Sequence, residues 1–152
     1  MKKPYITLLT FVFMLILFSC KNDDDCGSPN WITPNNLENE YGCVNTKYQM
    51  DIDLNNDYTI IRSQESFDDL VTGTCAPQID VSMYDLLIGK QALTSGNTSI
   101  NYSFMNHPCN GEPYLQIDFI QNATTEAPNL TYHSLIPKLN ASETITVEIH
   151  IN

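Results

Sequence analysis

Basic residues are scarce in this sequence, which has seven lysines and arginines against eighteen acidic residues. Arg62 is the only arginine, so a guanidinium clamp for a phosphate or a carboxylate would have to rest on it alone. A chain with so negative a balance repels the phosphate backbone of nucleic acids. We therefore expect no nucleic-acid partner.

The sequence also lacks the short motifs of common catalytic and metal sites. It has no H-E-x-x-H, no G-x-S-x-G and no C-x-x-C pair. Three histidines are present: we expect His150 to be solvated on the polar face of a strand, and His133 to be a hydrogen-bonded structural residue, while His107 precedes a turn. These features predict a protein that is not an enzyme and that holds no metal and no cofactor.

No apolar run is long enough to span a membrane. The run from Tyr5 to Phe18 has fourteen residues, whereas a spanning helix needs about 20. With Lys2 and Lys3 before it and Ser19 after it, the run is typical of a signal peptide over residues 1–19. Leu17-Phe18-Ser19-Cys20 resembles the bacterial lipobox, which implies that Cys20 carries lipid and anchors the chain to a membrane.

An acidic segment follows Cys20. Lys21, Asp23, Asp24 and Asp25 resemble the export signal of surface lipoproteins in the Bacteroidota. The resemblance implies a lipid-anchored protein of the outer membrane, exposed at the cell surface. A plain solvated tether is the alternative interpretation of the same residues.

Removal of residues 1–19 leaves 133 residues, enough for one domain with a real core. Five basic residues then stand against eighteen acidic ones, a net charge of −13. Residues 20–45 are rich in Asp, Asn, Gly, Ser and Pro, which predicts a lipidated acidic tether and an N-terminal arm. We expect a globular domain over residues 46–152.

The remaining cysteines are Cys26, Cys43, Cys75 and Cys109, an even number in an exported chain. Such a set predicts two disulfides, with three possible pairings. We favour Cys26–Cys43, which would fix the N-terminal segment, and Cys75–Cys109, which would join two parts of the sheet.

Alternating apolar and polar residues predict a series of short strands. The expected strands cover residues 48–54, 58–62, 84–93, 98–105, 114–121, 130–139 and 144–151. One short helix is expected over residues 64–71, with Ser63 as its N-cap and Gly73 after its end. The pattern indicates a single small α+β domain, mostly antiparallel β with one short helix and stapled by disulfides.

The segment Asp51–Asp57 has oxygen side chains at alternating positions, as the start of an EF-hand loop does. Asn56 replaces the turn glycine of that loop, and Arg62 stands where the bidentate glutamate belongs. A polar hairpin is therefore the preferred interpretation over a calcium site.

The order of short segments from residue 58 onward resembles the C-terminal domain of the PrcB family, a protease-complex-stabilising lipoprotein subunit. The segments are Tyr58-Thr59-Ile60-Ile61, Ser63-Gln64-Glu65-Ser66-Phe67, Pro77-Gln78-Ile79-Asp80-Val81, Leu87-Ile88-Gly89, Thr94-Ser95-Gly96 and Tyr132-His133-Ser134-Leu135-Ile136-Pro137-Lys138. Small Bacteroidota lipoproteins with the same order of parts are similar too. Gly96-Asn97 departs from the double glycine common in that family. The resemblance implies a non-catalytic accessory role and supplies no catalytic residue.

These observations predict a binding or accessory module for an envelope or protease complex, with an envelope protein as partner. An inhibitor or immunity-type protein and a hydrolase with an unrecognised site are the alternatives. The segment from His133 to Lys138 is a candidate contact region, because Pro137 is typical of an edge strand.

Overall fold

The structure is a computed structural model that describes residues 28–44, 48–106 and 111–152. It is mostly β in these ranges, as the sequence predicts, and its strands are mostly antiparallel. In chain order the elements are β1 (Asn30–Ile32), α1 (Leu37–Tyr41), β2 (Asp51–Ile52), β3 (Tyr58–Ile61), α2 (Gln64–Leu70), β4 (Val71–Thr72), β5 (Tyr84–Ala92), β6 (Asn97–Asn106), β7 (Tyr114–Gln121), β8 (Asn129–Pro137) and β9 (Thr146–Ile151). The prediction of a single helix is wrong, since the described ranges hold two. Neither helix is long and apolar enough to cross a membrane.

Four strands form one sheet in the order β1-β6-β7-β9. β1 and β7 are antiparallel to β6, and Phe104 of β6 lies opposite Leu115 of β7. β9 is parallel to β7, with Ile149 beside Ile117. Parallel neighbours need a crossover connection. Here the chain leaves β7, runs through β8 in the other sheet and returns as β9.

The second sheet has the order β3-β5-β8, and both of its faces are covered. Leu87 of β5 and Tyr132 of β8 pack against the four-stranded sheet in one core. Leu86 and Ile88 point to the opposite face, into a second core beneath the helices. A strand buried on both faces needs a continuous apolar run rather than alternation, which explains the sequence Leu86-Leu87-Ile88.

Both helices begin at a polar capping side chain. Ser63 Oγ accepts the backbone N–H of Ser66 at 3.1 Å, so the predicted N-cap of α2 is confirmed. Asn36 Oδ1 accepts the N–H of Asn39 at 2.8 Å in α1, and Gly42 ends this helix with φ of 74°. α1 has five residues, too few to produce a helical repeat of apolar positions in the sequence.

The predicted hairpin across residues 51–57 is wrong. β2 pairs with β4, and β3 pairs with β5, so the two strands that flank Asn56 are not partners. Asn56 still makes a turn, with φ of 50°, and its side-chain oxygen accepts the N–H of Ala92 at 2.8 Å. Strand pairing across distant segments outweighs the local turn signal here.

Candidate functional site

Several residues predicted to take part in lipidation, export or disulfide formation, together with one histidine, lie outside the described residues. They are Cys20, Lys21, Asp23, Asp24, Asp25, Cys26, His107 and Cys109. Lipidation, export and the second disulfide therefore stay predictions.

Cys43 and Cys75 form a disulfide with an S–S distance of 2.01 Å. A disulfide staple is thus confirmed, but the favoured pairings Cys26–Cys43 and Cys75–Cys109 are wrong. The N–H of Cys75 donates to the carbonyl of Gln49 at 2.9 Å, next to the β2–β4 pair, and this contact brings Cys75 towards Cys43. The pairing depends on contacts between segments that no local pattern reveals.

A groove lies where β2, β3 and β4 meet the end of α2. Its volume is about 560 Å³. We call it the acidic groove. It is lined by Asp51, Ile52, Asp53, Leu54, Thr59, Asp69, Leu70, Thr72 and Lys90. Three carboxylates and one ammonium group therefore share one concave surface with three apolar side chains.

The inner carboxylate of the groove is already neutralised. Lys90 Nζ lies 2.7 Å from Asp51 Oδ1, and the Thr131 hydroxyl contacts the same oxygen at 3.5 Å. Partial burial opposes ionisation of Asp51, but the hydrogen bond and charge of Lys90 outweigh it and hold the pKa of Asp51 below its usual value. Asp51, the first oxygen residue of the EF-hand-like segment, is thus bound within the protein. In the described ranges no three acidic, His or Cys side chains are grouped to hold a metal.

The outer part of the groove has carboxylates that no other described residue binds. Asp53 and Asp69 are exposed, and neither forms a hydrogen bond or an ion pair with another described residue. Leu70 is 49% exposed, and Leu54 is half-buried beside it. The combination of free carboxylates with apolar walls suits a lysine or arginine side chain, whose methylene stem packs on apolar surface while its charged end stays hydrated.

A row of polar side chains covers the outer face of β7 and β9. The Tyr114 hydroxyl contacts a carboxylate oxygen of Glu148, whose other oxygen lies 2.9 Å from His150 Nε2. His150 Nδ1 lies 3.1 Å from Asp118, which also accepts from Gln116. His150 lies on the polar face of its strand, as predicted, and its side chain is 39% exposed, but two carboxylates also contact the ring.

These contacts shift the pKa values of three side chains in the row. The hydrogen bond to Glu148 raises the pKa of Tyr114 to about 12, and the same bond lowers the pKa of Glu148. The hydrogen bond with Glu148 also raises the pKa of His150. The two carboxylates thus favour the charged form of the ring.

His133 lies in the interior, with 1% of its surface exposed. Its Nδ1 accepts the backbone N–H of Leu37, the first residue of α1, at 3.2 Å. Burial lowers the pKa of His133 to about 4, so the ring is neutral at pH 7. This histidine is structural, as predicted. His133 to Ile136 are buried, so the candidate contact region on this segment is wrong for those residues.

Every basic residue in the described ranges binds an aspartate. Arg62 and Lys138 approach the fully buried Asp85, at 3.5 and 2.8 Å, and Lys90 approaches Asp51. Arg62 also donates to the carbonyls of Ala141 and Glu143, so the only guanidinium is used to hold the fold. The electrostatic field outside this part of the protein is consequently negative.

Comparisons with family models, with curated proteins and with solved structures give no match to the chain. Its function is therefore argued from its own residues.

Proposed function

We propose that the protein is a lipid-anchored outer-membrane protein, exposed at the cell surface, whose domain is a non-catalytic binding or accessory module for an envelope protein. Its partner presents a basic side chain in an otherwise apolar segment, and the acidic groove receives it. The observation that carries this proposal is the juxtaposition of the unpaired Asp53 and Asp69 with the exposed Leu70.

The charge of the rest of the protein supports the same kind of partner. The described basic residues are all bound to aspartates, so their charges are compensated within the fold. A basic partner is attracted over a distance of about a Debye length, roughly 8 Å at physiological salt. The resemblance to the PrcB family supports an accessory role, and the lipobox and the acidic segment after Cys20 support the location.

Site-specific photocrosslinking on living cells tests the proposal. A photoreactive amino acid at Leu70 should give a discrete adduct with an envelope protein. The matched control is Met83, which is 59% exposed and lies outside the groove. Adducts of the same size and yield from both positions would show that the groove is not the contact surface.

Charge neutralisation gives the second arm of the test. Asp53→Asn with Asp69→Asn should reduce the Leu70 adduct several-fold, since exposed ion pairs contribute about 0.2 to 1 kcal/mol each. Glu65→Gln with Glu126→Gln removes the same charge from exposed positions outside the groove. An equal loss in both double variants would mean that only net charge matters.

A further inference from the structure

The two larger sheets have four outer edges in the described part of the chain, and three of them are short or covered. β1 has three residues. The edge of β8 is bridged by Asn35, whose carbonyl accepts the N–H of Leu135 at 2.8 Å. β3 has four residues, and Arg62 at its end reaches across to the carbonyls of Ala141 and Glu143. β9 has six residues, and no described strand pairs with its outer side.

The backbone groups on the outer side of β9 belong to its odd-numbered residues. The N–H of Thr146 bonds to Pro113 and the N–H of Asn152 bonds to Phe119, so the even-numbered residues face β7. Because backbone groups alternate along a strand, Val147, Ile149 and Ile151 direct their N–H and C=O groups away from the sheet.

β9 lacks several of the usual protections of an edge, although Glu148 and His150 lie on it. It has no proline, no lysine and no bulge, and its register with β7 is continuous from Thr146 to Ile151. Its apolar side chains are incompletely covered: Val147 and Ile149 are half-buried and Ile151 is 46% exposed. An edge of this kind is a template for one more strand.

The side chains of β9 are complementary to a second β9 in the antiparallel direction. With Ile149 at the twofold axis, Val147 lies opposite Ile151 on one face, and Glu148 lies opposite His150 on the other. Ile149 then meets its own copy in a hydrogen-bonded pair, as its outward backbone groups require. A register centred on Glu148 would set two carboxylates opposite each other, which is destabilising.

We infer that two copies of this chain associate through β9, antiparallel and centred on Ile149, so that their four-stranded sheets become continuous. The contact is isologous, because the same residues of both copies form it. The second copy is favoured over a strand from another protein because the facing pairs from Val147 to Ile151 are matched, apolar with apolar and Glu148 with His150. This surface is separate from the acidic groove.

Cysteine trapping on the purified full chain in detergent tests both the contact and its register. Hydrogen-bonded antiparallel pairs have Cα atoms about 5.5 Å apart, within the range that a disulfide bridges. Ile149→Cys should therefore give a covalent dimer on mild oxidation. Val147→Cys and Ile151→Cys should link to each other when the two variants are mixed, and neither should link to itself. Ser99→Cys, exposed on β6 away from this edge, is the control and should stay monomeric.

A second test needs no new cysteines. Two differently tagged copies of the chain are mixed at about 0.15 M salt, and the amount of one that co-purifies with the other is measured. Ile151→Lys adds an edge-protecting charge at an exposed position and should reduce co-purification of the two copies at least tenfold while the melting temperature stays near that of the wild type. The inference is overturned if folded Ile149→Cys stays monomeric, if Ser99→Cys links as well, or if Val147→Cys links to itself as readily as to Ile151→Cys. Adducts of these variants with a different protein in place of a second copy would overturn it too.

Discussion

The backbone N–H of Leu37 donates a hydrogen bond to Nδ1 of His133, 96 residues away in the sequence. This bond satisfies one of the N–H groups that the first turn of α1 leaves without an intrahelical partner. It requires an unprotonated Nδ1, because a protonated nitrogen donates and cannot accept. The attachment of α1 to the three-stranded sheet therefore depends on the ionisation of one buried ring.

Stability should fall as the pH is lowered from about 6.5 to about 4, in part because of His133. The pKa of this ring is about 4 in the folded state and 6.5 for the model group, so the unfolded chain binds the proton first. The stabilisation is complete above pH 6.5 and decreases as acid is added, by up to about 3 kcal/mol.

Urea unfolding at pH 7.0 and pH 4.5 measures this loss of stability. In His133→Asn the ring is replaced by a side chain that does not titrate, so the variant shows how much of the loss is due to His133. His150, whose pKa is raised, contributes in the opposite direction, and the carboxylates with lowered pKa values add to the acid loss in both proteins. The difference in stability between the two pH values should be smaller in His133→Asn. An unchanged difference would rule out the buried ring as a cause.

Two buried tyrosines should respond oppositely to loss of their hydroxyl groups. The Tyr102 hydroxyl accepts the backbone N–H of His133 at 3.2 Å. Tyr102→Phe leaves this buried donor without an acceptor and should lower the free energy of unfolding by about 1 to 3 kcal/mol. The Tyr132 hydroxyl is buried and makes no hydrogen bond with a described residue, so Tyr132→Phe should be neutral or stabilising. Thermal unfolding of both variants is the measurement, and an equal loss in the two would contradict the assignment.

Cys26 and Cys109 should form the second disulfide. The observed Cys43–Cys75 bond leaves these two as the remaining pair. Peptide mapping of the unreduced protein should find a Cys26–Cys109 linked fragment, and the unfolded chain should show no free thiol at either residue.

Cys20 should carry lipid. A single acyl chain binds membranes weakly, and stable anchoring needs a second chain or another signal. Metabolic labelling with a palmitate analogue should mark the wild type, and Cys20→Ala should lose the label.

Asp23→Ala with Asp24→Ala and Asp25→Ala should retain the label but become less accessible to protease on intact cells. If protease removes the wild type and the triple variant from intact cells equally, the acidic segment is only a tether.

The strands from β5 onward were predictable because each carries an alternating or continuous apolar pattern of adequate length. β7 coincides with its predicted span, and β5, β6, β8 and β9 differ by a few residues at their ends. α1 could have been found only from its caps, Asn36 and Gly42, because five residues contain too little periodicity. The short β2 escaped correct assignment since its partner, β4, follows a helix.

The acidic groove could not be read from the sequence for a different reason. Asp51, Asp69 and Lys90 come from separate elements and meet only when β2 pairs with β4 and β3 pairs with β5. The pairing of Cys43 with Cys75 depends on the same contacts. Local patterns predict elements, whereas these sites are products of their long-range pairing.

The passage of the chain through β8 between β7 and β9 makes the two sheets interdependent in folding. β9 can take its place beside β7 only after the intervening segment has crossed to the other sheet and paired with β5. Closing such long-range contacts is slow, because the entropy of the loop is lost before the contacts form. We therefore expect the amides of β5, β7 and β8 to exchange with deuterium through one common opening reaction, with a single free energy, instead of as two separately melting units.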